Sequence, residues 1–197
     1  MARIVDETKL ERVHEASMSL IVSKGYGGAS ISSIAKRAQV SEGYLYRFYL
    51  GKEELVNVLL DAKITEISEI IEAYLAKHEN AEIIIKKLLS AICEIGLNNP
   101  TQIKFLYVML GSYNFAISDS IKSYLLELCC RIRSLAVKQG LHSKDLDIDH
   151  FFNMILIYPI QYINLRLKEF SRPGGFTEAD KESLIDFVMK TLAVNCK

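Results

Sequence analysis

Apolar residues recur along this chain at intervals of three and four, and strand-like alternation is absent, so the pattern predicts an all-α protein of about nine helices. Thr8 followed by Glu11 reads as a capping box. Leu10, Val13, Ser17, Leu20 and Ile21 then fall on one face until Gly25 ends the helix. Gly27 and Gly28 form a flexible link into two much shorter helices. Ser30 caps the first, which carries Ile31, Ile34, Ala35 and Ala38 on its apolar face; a turn at Ala38 to Val40 follows, and Ser41 caps the second, running through Phe48. From Lys52 the pattern Leu55, Val58, Leu59, Ala62 continues to about His78, a helix on the order of 40 Å long. Further helices are predicted over 81–97, 102–110, 120–139 (closed by Gly140), 148–168 and 178–194. No internal repeat or low-complexity tract interrupts the series.

The helix predicted over 148–168 is apolar nearly all round and carries Pro159 in its interior, where the missing N–H and the ring clash should bend it. The last helix bears Leu184, Ile185, Phe187, Val188 and Leu192, more than one narrow stripe can hide. These two helices are expected to pair with their copies in a second subunit, a four-helix interface about a two-fold axis; burial inside one chain is the alternative. The apolar run from Phe151 to Leu165 is too short for a membrane span and is broken by Asn153, Pro159, Gln161 and Asn164.

Chemistry concentrates in Gly25 to Leu55, GYGGASISSIAKRAQVSEGYLYRFYLGKEEL. Ala35 is small enough for two helix axes to approach closely, and Val40 can fill the corner between them, as a helix-turn-helix requires. So short a pair has little core of its own and needs the helix upstream beneath it. From its Gly-Tyr opening through IAKRAQVS and LYRFY to KEEL, this stretch resembles the DNA-binding signature of the TetR family of bacterial transcription regulators. The resemblance covers the first quarter of the chain. It implies an N-terminal three-helix DNA-binding domain over 1–53 and a C-terminal helical ligand-binding and dimerisation domain over 54–197. Beyond the first quarter, only length and helical character agree with the family.

The chain's 197 residues, half of them apolar, suffice for one large or two small cores. Its 24 basic and 24 acidic residues argue against a polycation that coats nucleic acid indiscriminately. Between Lys24 and Lys52, however, Lys24, Lys36, Arg37, Arg47 and Lys52 face a single acid, Glu42. Phosphate is expected to dock there. Cys93, Cys129, Cys130 and Cys196 lack C-x-x-C spacing and read as reduced thiols rather than metal ligands; no cofactor is implied. No charged leader with an apolar core opens the chain, which places it in the cytoplasm. The histidines His14, His78, His142 and His150 show no H-E-x-x-H spacing and no Gly-rich phosphate loop lies near them, which argues against an enzyme.

A recognition helix lies in the major groove with its N-terminal residues at the base edges. That puts Glu42, Gly43 and Tyr44 nearest the bases: Gly43 admits close backbone approach, Tyr44 can stack on a thymine methyl, and Glu42 accepts only from a donor such as cytosine N4. Glu42 departs from the lysine or other neutral or basic residue frequent there in the family. Ser30, Ser41, Tyr46, Arg47 and Lys52 are the candidate phosphate contacts, whereas Leu45, Phe48 and Tyr49 are expected in the core, with core burial an alternative for Tyr46.

In the C-terminal part, Tyr107, Met109, Tyr113, Phe115, Tyr124, Phe152, Tyr158 and Tyr162 read either as core filling or as the wall of a pocket for an apolar or aromatic molecule. Arg131, Arg133 and Arg166 read as solvated helix faces. The family resemblance implies a small effector whose binding releases a palindromic operator from a homodimer. A structural DNA-binding protein without an effector is the rival reading.

Overall fold

The structure is a computed structural model that describes residues 7–77, 80–141 and 146–194. His78, His142 and Cys196 lie outside the described residues. Among these residues the architecture is all-α. The order is α1 (Glu7–Gly28), α2 (Ile31–Ala38), α3 (Glu42–Leu45), α4 (Lys52–Ala76), α5 (Ala81–Asn98), α6 (Pro100–Leu110), α7 (Asp119–Lys138), α8 (Ile148–Phe152), a π-helical turn (Asn153–Ile157), α9 (Tyr158–Leu167) and α10 (Glu178–Val194). The chain divides into two compact units, Met1–Ala62 with Lys104–Ile117, and Lys63–Ile103 with Ser118–Lys197. Of the three boundaries, two fall inside helices, α4 and α6, and the third just before α7.

In the first unit α1 is helical from Glu7, so Thr8 sits inside its first turn and does not cap it. Its buried face holds Val13, Ser17, Leu20 and Ile21, as the spacing predicts, together with Ala16 and Met18, while Leu10 is only half-buried; Gly25 breaks the helix at φ 73°. Only glycine adopts that left-handed angle without strain. In α4 the buried stripe is Leu55, Val56, Leu59 and Leu60, while Val58 is exposed. The i, i+4 pairs 55/59 and 56/60 define the face, rotated from the one expected.

The second unit is built around α5, which packs against α7, α9 and α10. Ile84, Ile85, Leu88, Leu89, Ile92 and Cys93 are buried along it. At Gly96 a Cβ would come within 2.7 Å of Ile163 Cγ2, so α5 and α9 meet at a distance only glycine allows. Pro159 produces a π-turn ahead of it: the Tyr158 N–H reaches back to the Asn153 carbonyl. The wider turn relieves the clash between the proline ring and the carbonyl four residues earlier, where the proline has no N–H to offer.

Arg166 corrects the sequence reading. It is 4% exposed, and its guanidinium donates to the carboxylate of Asp180 at 3.1 Å and to the carbonyls of Arg172 and Gly175. Asp180, with no exposed surface, also accepts from the Thr177 amide and hydroxyl at 2.9 and 2.8 Å and from Arg172. The cluster staples the 168–177 connection to the start of α10. Arg131 is exposed on its helix face, as expected, and there makes a two-pronged pair with Glu72 at 2.6 and 2.7 Å; Arg133, half-buried, donates to the Leu146 carbonyl.

Removing Arg166 would leave a buried carboxylate with only the solvent-exposed Arg172 as its charge partner and the Arg172 and Gly175 carbonyls without their donor. Arg166→Leu is expected to lower stability by about 3–5 kcal/mol in urea unfolding. Burial alone would raise the Asp180 pKa, but the Thr177 and Arg166 hydrogen bonds outweigh it and hold it below the ordinary value. Its contribution is therefore full above roughly pH 4, the unfolded carboxyl's value, and is lost as pH falls through the lower folded pKa. The Arg166→Leu variant should show a flatter acid limb.

Candidate nucleic-acid interface

The helix pair is assembled from its caps inward. Ser30 and Ser33 form a reciprocal capping box, with Ser30 Oγ accepting from the Ser33 amide at 3.1 Å and Ser33 Oγ accepting from the Ser30 amide at 3.0 Å. At the other end Gln39 turns left-handed (φ 58°, ψ 45°), and the Val40 amide closes onto the Ala35 carbonyl at 3.0 Å. The Arg12 side chain, from α1, donates to the Ala38 carbonyl at 3.1 Å and occupies one of the acceptors that α2 leaves open. Ser41 Oγ then accepts from the Tyr44 amide at 3.2 Å, opening α3.

Four residues make α3 barely more than a turn, and the chain behind it tightens further, with the Phe48 and Tyr49 amides both donating to the Leu45 carbonyl. Leu45 and Tyr49 are buried, as expected for the core; Phe48 is half-buried. Tyr49 shares a 2.9 Å hydrogen bond with His14 Nε2 of α1. Burial lowers the His14 pKa against the opposing pull of Glu11, and burial raises that of Tyr49, so the pair is neutral around pH 7.

What α3 presents outward is Ser41, Glu42, Gly43, Tyr46 and Arg47, all exposed, with Tyr44 half-exposed. Tyr46 is 56% exposed, which answers the question of its burial. A Cβ at Gly43 would meet nothing within 4 Å. The backbone there is bare without a packing reason. Arg47 spreads over the rings of Tyr44 and Phe48 at 6.0 and 5.9 Å, a guanidinium pre-ordered by cation–π contact. Lys36 and Arg37 are exposed on α2, Arg37 donating to Ser19 Oγ at 2.8 Å.

Lys52 is placed differently from the expected phosphate contact. Its ammonium donates to the carbonyls of Tyr26 and Ala29 at 2.8 and 2.9 Å and lies 4.0 Å from the centroid of the Tyr26 ring; burial lowers its pKa. Neither this role nor that of Arg12 has a sequence signal, since both act across 23 to 26 residues with no helical spacing.

The aromatic candidates for an effector wall divide between the two units. In the first, Met109 and Phe115 are buried and Tyr107 is half-buried, but Tyr113 is fully exposed and encloses nothing. In the second, Phe152 and Tyr162 are half-buried and Tyr124 is 37% exposed. Tyr158, at the surface, packs its ring on Tyr162 and Phe187 with centroids 6.0 and 5.4 Å apart. The Tyr162 hydroxyl reaches Asp180 at 3.5 Å. Tyr162 thus links the ring pair to the Asp180 cluster.

Residues 14–59, which contain this whole arrangement, match the family model described as bacterial regulatory proteins, tetR family. Over 62 residues the chain is 36% identical to the uncharacterized HTH-type transcriptional regulator YvkB of Bacillus subtilis, a match spanning 32% of this chain and 33% of that one. It is 25% identical over 189 residues to IcaR of Staphylococcus epidermidis, the negative transcriptional regulator of the biofilm operon icaADBC, covering 95% and 98% of the two chains. The crystal structure of the transcriptional regulator FadR from Bacillus subtilis in complex with stearoyl-CoA shares the fold, with a TM-score of 0.71 at 17% identity over 94% of this chain and 98% of that one. With its capped helix pair and these relatives in agreement, the chain carries over residues 14–59 a DNA-binding helix-turn-helix domain of the TetR family of transcription regulators.

Proposed function

We propose that this regulator is a homodimeric repressor that holds a palindromic operator with its two α2–α3 pairs and releases it when a small, largely apolar molecule binds the C-terminal domain. The observation that carries the DNA half is the outward face of α3: a capped helix start with an unpacked glycine, flanked by an exposed tyrosine and a pre-ordered arginine. Residues 1–53 form the reading domain, and 54–197 the domain for ligand and dimer. Glu42, Gly43 and Tyr44 face base edges, while Ser30, Ser41, Tyr46 and Arg47 hold phosphates. The dimer forms through α9 and α10, where Tyr158 and Phe187 leave apolar surface at 36% and 51% exposure. An acyl chain is the first effector chemistry to try, since the structurally similar FadR was crystallised with stearoyl-CoA.

Selection of random duplexes by the full chain is expected to return an inverted repeat with half-site centres about 34 Å apart, one helical turn. A pool that converges on no sequence, with selected and random duplexes bound alike, would leave a structural DNA-binding protein. Arg47→Ala should reduce the magnitude of the salt slope by about 0.9 for each phosphate that Arg47 neutralises, twice that in a dimer, and weaken all sequences alike. Adding stearoyl-CoA to the protein–operator complex, read by anisotropy, tests the effector class.

Gly43→Ala separates stability from recognition. In a helix, alanine is better than glycine by about 0.8–1 kcal/mol, and here the added methyl meets no protein atom, so the melting temperature should rise. Operator affinity should fall, because the methyl occupies the space through which the backbone approaches a base pair. Unchanged affinity would remove Gly43 from the interface.

A further inference from the structure

We propose that Lys52 is a positioning residue for DNA binding rather than a phosphate contact, and that Phe115 acts with it by fixing Tyr26 between them. Beyond the break at Gly25 only residues 26–28 remain of α1, and Ala29 and Ser30 lead from them into α2. Two carbonyls of this link, Tyr26 and Ala29, are taken up by the Lys52 ammonium at 2.8 and 2.9 Å. An ammonium has three donors, and its remaining inward side lies over the Tyr26 ring at 4.0 Å. A phosphate would have to compete with all of these partners for the same charge.

Tyr26 is held in turn. Its ring, 9% exposed, packs against Phe115, 8% exposed, with centroids 5.0 Å apart and planes at 58°. That edge-tilted contact is a favourable aromatic geometry. Phe115 follows α6 and belongs to the same compact unit as the helix pair. Phe115, Tyr26 and Lys52 therefore form one stack that ties the entrance of α2 to the first residue of α4. The direction of α3 follows from α2 through the left-handed turn at Gln39.

The proposal rests on the DNA-binding reading of α2 and α3, and it predicts a signature that a phosphate contact lacks. Loosening the stack lets the helix pair shift against the base edges while its phosphate-binding charges stay in place. Discrimination falls, and the salt slope does not.

The test uses the full chain in fluorescence anisotropy with a duplex of about 30 base pairs, three helical turns, selected by the wild-type protein, and a scrambled duplex of equal length, over a salt series. Lys52→Met, which keeps the stem and removes the charge, should lower the selected-to-scrambled affinity ratio about tenfold or more at an unchanged salt slope. Phe115→Ala should do the same, and Phe115→Tyr, which keeps the ring, should restore the ratio. Should Phe115→Ala melt below the assay temperature, Phe115→Leu keeps most of the volume without the ring and should show the same drop. A slope reduced in Lys52→Met by about 0.9 per phosphate would make Lys52 a phosphate ligand and overturn the proposal. A wild-type ratio in the folded Phe115→Ala or Phe115→Leu variant would also overturn it. A wild-type protein that prefers no duplex would instead sink the underlying reading, an outcome visible before any variant is made.

Discussion

A helix of four residues cannot hold itself. Nucleating even one hydrogen-bonded turn is unfavourable in isolation, and α3 adds almost no propagation to offset it. Its geometry is therefore imposed from outside: by Ser41 at its start, by Leu45 and Tyr49 buried beneath it, by the His14 hydrogen bond to Tyr49, and by α2, whose own last turn is held by Arg12. The rest of the first unit can be understood as scaffolding for that one turn. Because a reading surface this small has no rigidity of its own, residues that never approach DNA decide where it points.

Much of this is legible in the sequence because caps and stripes are local. Ser30 and Ser41 lie next to the helices they start, so spacing alone assigns their roles, and the same holds for Gly25, Gly140 and the buried face of α1. The charged side chains are not legible in this way. The sequence pattern places both Lys52 and Arg166 at the surface, one on phosphate and the other in solvent, and both are tied to backbone carbonyls instead. A carbonyl acceptor leaves no trace in the side-chain pattern, since every residue has one.

The two cations solve a similar problem. Each holds a connection between helices by its backbone carbonyls: Lys52 the passage from α1 to α2 at Tyr26 and Ala29, and Arg166 the connection 168–177 with its left-handed Glu169, Gly174 and Gly175. The choice of cation follows the chemistry. Arg166 must serve a carboxylate and two carbonyls at fixed angles with little solvent, which suits a planar fork. Lys52 serves two carbonyls and a ring face from one point, which suits a compact ammonium. The bulge ahead of Pro159 shows the same rule without a charge, the backbone there widening its own turn to keep the Tyr158 amide paired.

The engagement of Lys52 changes the electrostatics of the reading head. Four basic side chains, Lys24, Lys36, Arg37 and Arg47, then remain against Glu42, and Arg37 is already shared with Ser19. Sequence-independent affinity grows with each phosphate neutralised, so a head with so few available cations binds arbitrary DNA weakly. Under the proposed reading, two such heads on one rigid dimer must supply the affinity together, and base-edge contacts must supply what the backbone does not. Glu42 at the first position of α3 fits that balance: an acid there penalises every phosphate equally and is offset only where a base donates to it. Weak general attraction and a selective acid act in the same direction, and both depend on α3 being held in register by the Lys52 stack.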